Sequence, residues 1–184
     1  METILKSREW IKWLSKVDED WAEETRGGGC KHCASKLHCG NFPRKVRDVP
    51  DWDERISFDC SRCRRRTTPV SVRFLGRRVY AGIIVILLAA MMHGLNKSRV
   101  EALRQELGIA VRTLKRWREW WLGEFVKSSF WKGVRGLFTP VLKEAEMPLS
   151  LVNGFDAKSR EGLVKLLRFI SPITIGGLPG GQDM

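Results

Sequence analysis

The clearest alternation of apolar and polar positions runs through residues 96–121. A first helix is predicted from apolar residues three to four positions apart, with the small Ala102 beside them: Val100, Leu103, Leu107. Ser98 and Glu101 have the Ser-x-x-Glu spacing of a capping box, which predicts that this helix begins at Ser98. Gly108 is expected to end it in the left-handed conformation, which costs glycine least.

A second helix is predicted from about Val111, after a short turn at Ile109 and Ala110. Its apolar side carries Leu114, Trp117 and Trp121. Its polar side carries Arg112, Thr113, Lys115, Arg116, Glu119. This pattern predicts a helix-turn-helix over residues 98–121, with base contacts from Arg112, Thr113, Lys115 and Arg116 in the major groove of DNA. A structural pair of helices has the same periodicity and stays the alternative, and Ala110 stands where Ser or Thr usually caps a helix.

Residues 1–26 have the pattern of one amphipathic helix. Its apolar face consists of Trp10, Trp13, Leu14, Val17, Trp21. Core packing or contact with a partner explains this face better than stacking on nucleic acid bases, because the helix becomes acidic towards its end. Three consecutive glycines, residues 27–29, are expected to end the helix.

Residues 79–92 contain no charged side chain. They are fewer than the roughly 20 apolar residues that a membrane-spanning helix needs. The segment therefore predicts a buried central helix and no membrane partner.

Two weaker helices are predicted at residues 134–146 and 159–170. The second has an apolar stripe of Leu163, Leu166, Leu167, Ile170. This stripe would either complete the core or form a dimer face, and the sequence does not separate the two. Residues 176–184 are rich in glycine and are predicted to be disordered.

The composition indicates a preference for negatively charged partners. The chain has 184 residues, 43% of them apolar, a formal net charge of +12 and a pI near 9.9. The excess of positive charge favours an anionic partner, nucleic acid before an anionic membrane. The charge is unevenly placed, since residues 61–78 contain seven arginines and no acid, whereas residues 18–24 contain five acids and no base.

Four of the five cysteines form two Cys-x-x-Cys pairs. Cys30 and Cys33 are separated by 26 residues from Cys60 and Cys63. Such pairs place four thiolates around one Zn²⁺ ion, and the Pro-containing segment between them has too little apolar pattern to fold by burial alone. We therefore expect one structural zinc in a zinc ribbon. A redox pair is the alternative, but two pairs without a βαβ pattern disfavour it.

Two further residues lie near this motif in the sequence. Either His38 or Cys39 would have to replace one of the four cysteines to act as a ligand, and neither keeps the paired spacing. Because four thiolates leave no position for a bound water, the zinc is expected to be structural and not catalytic.

The order of elements from residue 28 to residue 122 resembles the DNA-binding region of several insertion-sequence transposases. In those proteins a second Cys-x-x-Cys is followed by basic residues, a Thr/Ser-rich turn, a strand, an apolar helix and a helix-turn-helix. The corresponding features here are Cys60 and Cys63, residues 64–66, Thr67-Thr68-Pro69, a strand-like stretch at residues 70–74 and the helices that follow. The resemblance implies DNA binding in which the ribbon and the helix-turn-helix cooperate.

The resemblance does not imply transposase catalysis. Those enzymes continue into a ribonuclease-H-like domain, and residues 122–184 are too few for it. Phosphate-loop, nucleophile-elbow and His-Glu-x-x-His motifs are also missing from the sequence. We therefore expect that the protein is not an enzyme.

The predicted fold is mainly α, with a small N-terminal β zinc ribbon followed by a helical domain. The boundaries are an N-terminal helix at 1–26, the ribbon at 27–78, a helical domain at 79–127, C-terminal helices at 128–175 and a tail at 176–184. Salt-dependent contacts to phosphates are expected from Arg64, Arg65, Arg66, Arg73, Arg77, Arg78.

The function expected from these features is sequence-specific binding of double-stranded DNA. The protein would be an accessory or regulatory protein of a mobile element, or a transposase-derived factor, in the cytoplasm and associated with the nucleoid. An RNA-binding zinc-ribbon protein and an adaptor for a separate recombinase or transposase are the alternatives. The sequence also leaves open whether two copies of the chain form a homodimer.

Overall fold

The computed structural model describes residues 9–44, 46, 54–75, 80–92 and 97–174. It is mainly helical with a small antiparallel sheet, as predicted. Helix α1 spans Glu9–Gly27 and buries Trp10, Leu14, Asp18 and Ala22 on one side. It ends at the three glycines, where the amide of Gly28 donates to the carbonyl of Glu24 (3.0 Å) and Gly29 has a φ of 71°.

Five short strands follow α1: β1 (Leu37–Cys39), β2 (Phe42–Pro43), β3 (Glu54–Arg55), β4 (Phe58–Cys60) and β5 (Arg66–Thr67). Strand β4 lies between β1 and β5 in an antiparallel sheet, and β2 pairs with β3 in a second one. The β1–β4 register sets Leu37 opposite Cys60. A separate small core of Ala22, Cys30, Leu37, Phe58 and Cys60 lies under this sheet.

Residues 70–74 are not a strand, contrary to the prediction. Phe74 makes one isolated bridge to Ala81, and residues 71–75 are buried. The amide of Val72 donates to Asp18 Oδ1 (2.7 Å) and the amide of Arg73 donates to the Ser71 hydroxyl (3.1 Å). Side chains therefore satisfy backbone groups that a neighbouring strand would otherwise bind.

Helix α2 spans Gly82–Met91, and all ten of its residues are buried. This confirms the buried central helix predicted from residues 79–92. Among the described residues, no helix combines the length and the apolar character needed to cross a membrane.

Helices α3 (Lys97–Glu106) and α4 (Val111–Trp120) occupy the region predicted to be two helices. Helix α3 already includes Lys97, so Ser98 lies within the first turn. The carboxylate of Glu101 accepts hydrogen bonds from the side chains of Arg104 and Gln105. Helix α4 packs against α2 and continues into a π-helical turn at Trp121–Phe125.

The C-terminal part contains three helices: α5 (Ser129–Val134), α6 (Leu149–Gly154) and α7 (Arg160–Ile170). Short 3₁₀ turns lie at Arg135–Leu137, Glu144–Glu146 and Ser171–Thr174. The predicted helix at residues 134–146 is therefore wrong, because Pro140 has no amide hydrogen and disfavours helical backbone in the residue before it. The prediction for residues 159–170 is confirmed, with the Ser159 hydroxyl accepting from the amide of Gly162 (3.1 Å) at the N-cap.

One apolar core joins α1, α2, α4, α6 and α7. The stripe of α7 lies inside this core, with Leu163, Leu166, Leu167 and Ile170 all buried. Of the two roles left open by the sequence, this stripe therefore completes the core. The tail predicted at residues 176–184 lies outside the described residues.

Candidate metal centre and basic surfaces

The four paired cysteines lie together at one end of the sheet. Their Sγ atoms are all within 4.8 Å of one another. Cys30 and Cys63 are 3.6 Å apart, and Cys33 and Cys60 are 3.4 Å apart, measured between sulfurs. A tetrahedron with metal–sulfur bonds of about 2.3 Å has edges of about 3.8 Å. The cluster is therefore close to the size required to hold one metal ion.

The two Cys-x-x-Cys turns have the same backbone hydrogen bonds. In the first knuckle (residues 30–35) the amide of Cys30 donates to the carbonyl of Ser35 (2.9 Å), and in the second knuckle (residues 60–65) the amide of Cys60 donates to Arg65 (3.1 Å). This repetition curls each turn so that both of its sulfurs face the same point.

The residue after each second cysteine completes the curl in the left-handed region. Ala34 has a φ of 55° and Arg64 a φ of 56°. The amide of each donates to the carbonyl of the first cysteine, at 2.7 Å in the first knuckle and 3.1 Å in the second. Sequence reasoning missed these two positions because neither is glycine, the residue expected at positive φ.

Hydrogen-bond donors favour the thiolate form on part of the cluster. The hydroxyl of Ser35, then its amide, and the thiol of Cys60 lower the pKa of Cys33 to about 6. The pKa of Cys30 is also lowered, chiefly by the backbone at His32. The amides of Arg62 and Cys63 each donate to Cys60 Sγ at 3.4 Å. Thiolate is the form that binds metal.

Cys63 differs from the other three. Its backbone contact with Arg65 lowers the pKa, but burial and the hydrogen bonds to the other thiols raise it to about 11. The thiol of Cys63 therefore keeps its proton more readily than a free thiol does. A bound cation would displace that proton, because metal ligands must be deprotonated.

The residues considered as substitute ligands lie elsewhere. His38 and Cys39 are exposed on β1, and the metal-sized group among the described residues consists of the four paired cysteines alone. His32 is exposed as well, and its Nδ1 lies 3.1 Å from the guanidinium of Arg65. The ligand set given by cysteine spacing is therefore the one that the structure brings together.

Three of the predicted phosphate-binding arginines are exposed on the second knuckle and β5. Arg64 and Arg65 follow Cys63 directly, and Arg66 lies 3.3 Å from Asp59. Arg77 and Arg78 lie outside the described residues.

Arg73 does not have the exposed position that the predicted phosphate contact requires. Its side chain is only 9% exposed, and its Nε donates to Asp18 Oδ2 at 2.7 Å. A guanidinium buried in this ion pair is unavailable to a phosphate. Arginine density along the sequence could not distinguish it from its exposed neighbours.

Three further cations on the knuckles or directly after them were not predicted. Lys31, Lys36 and Arg62 are exposed, and residues 30–36 and 60–66 contain no acid. Together with Arg64 and Arg65 they form the basic knuckle surface. Four thiolates around one divalent ion would leave a net negative charge, which these cations would partly offset.

The outer face of α4 carries most of the predicted base-contact residues. Arg112, Lys115 and Arg116 are exposed. Thr113 does not lie on the predicted outer face. Only 7% of it is exposed, and it lies on the buried side with Leu114. The buried side of α4 is wider than its apolar residues alone indicated, so Thr113 cannot reach a base edge.

The turn between α3 and α4 has the predicted left-handed glycine. Gly108 has a φ of 63°, its amide donates to Gln105 (3.0 Å), and the amide of Ile109 donates to Arg104 (2.9 Å). These two bonds are those of a Schellman motif. The side chain of Arg104 donates back to the Ile109 carbonyl at 2.6 Å, which fixes the chain direction into α4. Ala102 is exposed on α3.

No family model matches this chain, and neither a curated protein nor a solved structure matches it.

Proposed function

We propose that this chain is a zinc-ribbon and helix-turn-helix protein that binds double-stranded DNA in a sequence-specific manner. The observation that carries the proposal is the exposed cationic face of α4, Arg112, Lys115 and Arg116, directly after the left-handed turn at Gly108. Such a face fits the major groove, where Arg and Lys bind guanine O6 and N7.

The basic knuckle surface supplies the second part of the proposal. Its five exposed cations would bind phosphates and fix the position of the protein on the duplex without reading sequence. In this reading α4 gives base preference and the knuckles give affinity that depends on salt.

The metal in the proposal is one Zn²⁺ held by Cys30, Cys33, Cys60 and Cys63. The all-thiolate donor set and the sulfur separations of 3.4 and 3.6 Å fit a tetrahedral zinc site. When bound, the ion would cross-link the two knuckles, whose strands are only two or three residues long. We propose no catalytic role for it, because four protein ligands leave no open position.

The surroundings of two of the eight tryptophans support duplex DNA over single-stranded RNA as the ligand. Arg160 lies 6.0 Å from the ring centre of Trp13, and Arg168 lies 4.9 Å from that of Trp21. Both rings thus already have a cation over one face, which leaves less aromatic surface for unpaired bases. We further propose a role as an accessory or regulatory protein of a mobile element, following the resemblance of residues 28–122.

The test is selection of binding sites from randomised duplex DNA with zinc-loaded full-length protein at two salt concentrations. We expect an enriched motif whose affinity falls as salt rises. Salt-sensitive binding without any motif would reject sequence-specific reading. Tighter binding to single-stranded RNA than to the selected duplex would replace DNA as the ligand.

A further inference from the structure

Two large apolar side chains protrude from the C-terminal part of the chain. Leu137 is 80% exposed and Val141 is 83% exposed, whereas the third such side chain among the described residues, Val111, is 49% exposed. Leu137 and Val141 are four residues apart, at the end of one 3₁₀ turn and in the irregular segment that follows it. Leaving both in water is unfavourable unless a partner covers them.

A cleft of about 410 Å³ lies on the same surface, with Val141 among its lining residues and Leu137 directly before the first of them, Phe138. One wall consists of residues 138–143, and the other consists of Ser150, Asn153 and Gly154 of α6. A Cβ on Gly154 would lie 3.1 Å from Leu142 Cδ2, so the glycine leaves room where the two walls meet. Protruding apolar side chains and an apolar cleft are thus adjacent on one surface.

The charges around the cleft are of both signs. Arg135 pairs with Glu144 at 3.2 Å, and Lys143 pairs with Glu146 at 3.1 Å. All four side chains are at least 41% exposed. A nucleic acid bound here would lie against two carboxylates, which repel its phosphates. In a dimer, the carboxylates of one copy would instead lie opposite the cations of the other.

We propose that this face binds a second copy of the chain, with Leu137 and Val141 of each copy entering the cleft of the other. A two-fold axis makes every such contact twice, so a surface that carries both the protrusion and the cleft is self-complementary. The proposal is independent of DNA binding. Because the patch is small, we expect a weak dimer with a Kd on the order of 1–100 µM.

The experiment is sedimentation velocity of the full-length zinc-loaded protein, without DNA, from about 1 to 500 µM, a span set by the expected Kd. We expect the mass to rise from one copy to two. Leu137→Asp and Val141→Asp should each weaken the dimer by about 100-fold or more, since each new charge is buried twice. The matched control is Val111→Asp, which places the same charge on an exposed apolar position of α4 and should leave the dimer unchanged.

Thermal unfolding of each variant checks that the fold is retained, as expected for side chains that are about four-fifths exposed. A wild-type protein that stays monomeric throughout would overturn the proposal, as would a dimer insensitive to both substitutions. Monomeric protein whose binding to anionic vesicles is lost in Val141→Asp would also overturn it and assign the face to a membrane surface.

Discussion

The carboxylate of Asp18 on α1 accepts a hydrogen bond from Nε of Arg73 at 2.7 Å, and both side chains are buried. The same carboxylate accepts from the amide of Val72 (2.7 Å) and from the hydroxyl of Ser71. One buried acid thus ties residues 71–73 to the N-terminal helix. The contact holds the segment that precedes α2 against α1.

A second buried arginine depends on the same acid. Burial lowers the pKa of Arg55 to about 10, and among its charged neighbours Asp18 opposes this effect while Arg73 and Arg44 add to it. The Arg55 guanidinium donates to the carbonyl of Pro69 and lies 5.7 Å from the ring centre of Phe74. Asp18 therefore compensates positive charge from two buried side chains.

We predict that Asp18→Asn lowers the free energy of unfolding by about 3–5 kcal/mol, the usual cost of removing one partner from a buried ion pair. The amide keeps the shape of the side chain but leaves Arg73 and Arg55 buried without an acid. Urea unfolding followed by tryptophan fluorescence measures the loss. Adding Arg73→Met to this variant should recover part of it.

The control for this prediction is Asp20→Asn on the same helix. Asp20 lies 3.0 Å from Lys16 and is 56% exposed, so we expect a change of about 0–1 kcal/mol. Equal losses in Asp18→Asn and Asp20→Asn would contradict the role given to burial.

For the metal centre we predict one zinc per chain, lost in Cys60→Ser and retained in Cys39→Ser. Cys39 is exposed and outside the cluster, which makes it a matched thiol control. The helical signal in circular dichroism should persist in Cys60→Ser, since the main core contains none of the four cysteines. Elemental analysis of both variants gives the stoichiometry.

Retained metal in Cys60→Ser would show that the four cysteines do not act together. Iron in place of zinc would leave the ligand set intact and change only the identity of the ion, because both metals accept four thiolates in a tetrahedron.

The features that could be predicted from sequence are those whose cause is local. Cysteine spacing was enough for the ligand set, and an uncharged apolar run was enough for the buried helix α2. Gly108 could be placed at a left-handed turn because few other residues adopt that conformation. Each of these depends on neighbours within a few positions or on a residue type with one dominant use.

The features that were missed depend on contacts between distant residues. Asp18 lies in an acidic run, which usually faces water, and its partner is 55 residues away. Asp18 follows Leu14 by four residues and Trp10 by eight, a spacing that places it on the apolar face of the helix. This spacing was the one signal in the sequence that Asp18 is buried. The sequence could not place Thr113 on the buried side of α4, because the width of a buried helix face is set by what packs on it.

We predict opposite effects of alanine at two glycines that have open space around them. A Cβ at Gly108 or at Gly133 would meet nothing within 4 Å. Gly108→Ala should cost about 1–2 kcal/mol, because its φ of 63° strains a residue with a side chain. Gly133→Ala, within α5, should stabilise by about 0.5–1 kcal/mol because alanine favours helix.

Thermal or urea unfolding of the two glycine variants gives the sign of each change. A gain in stability for Gly108→Ala would mean that the turn between α3 and α4 adopts another backbone conformation in solution.

In DNA binding, the outer face of α4 and the basic knuckle surface are expected to act differently. Arg112→Ala should relax preference at one base position by about 1–3 kcal/mol, since a side chain on the outer face of α4 would read base edges. Arg65→Ala should weaken binding to every sequence alike and reduce the salt slope by about 0.9, the contribution of one phosphate contact.

Arg160→Ala, which removes an exposed arginine paired with Glu9 (3.0 Å), is the control and should change neither base preference nor slope. Titrations of the selected site and of single-base variants at several salt concentrations measure both quantities. A uniform loss in Arg112→Ala would make that residue a phosphate contact and would remove α4 as the source of sequence preference.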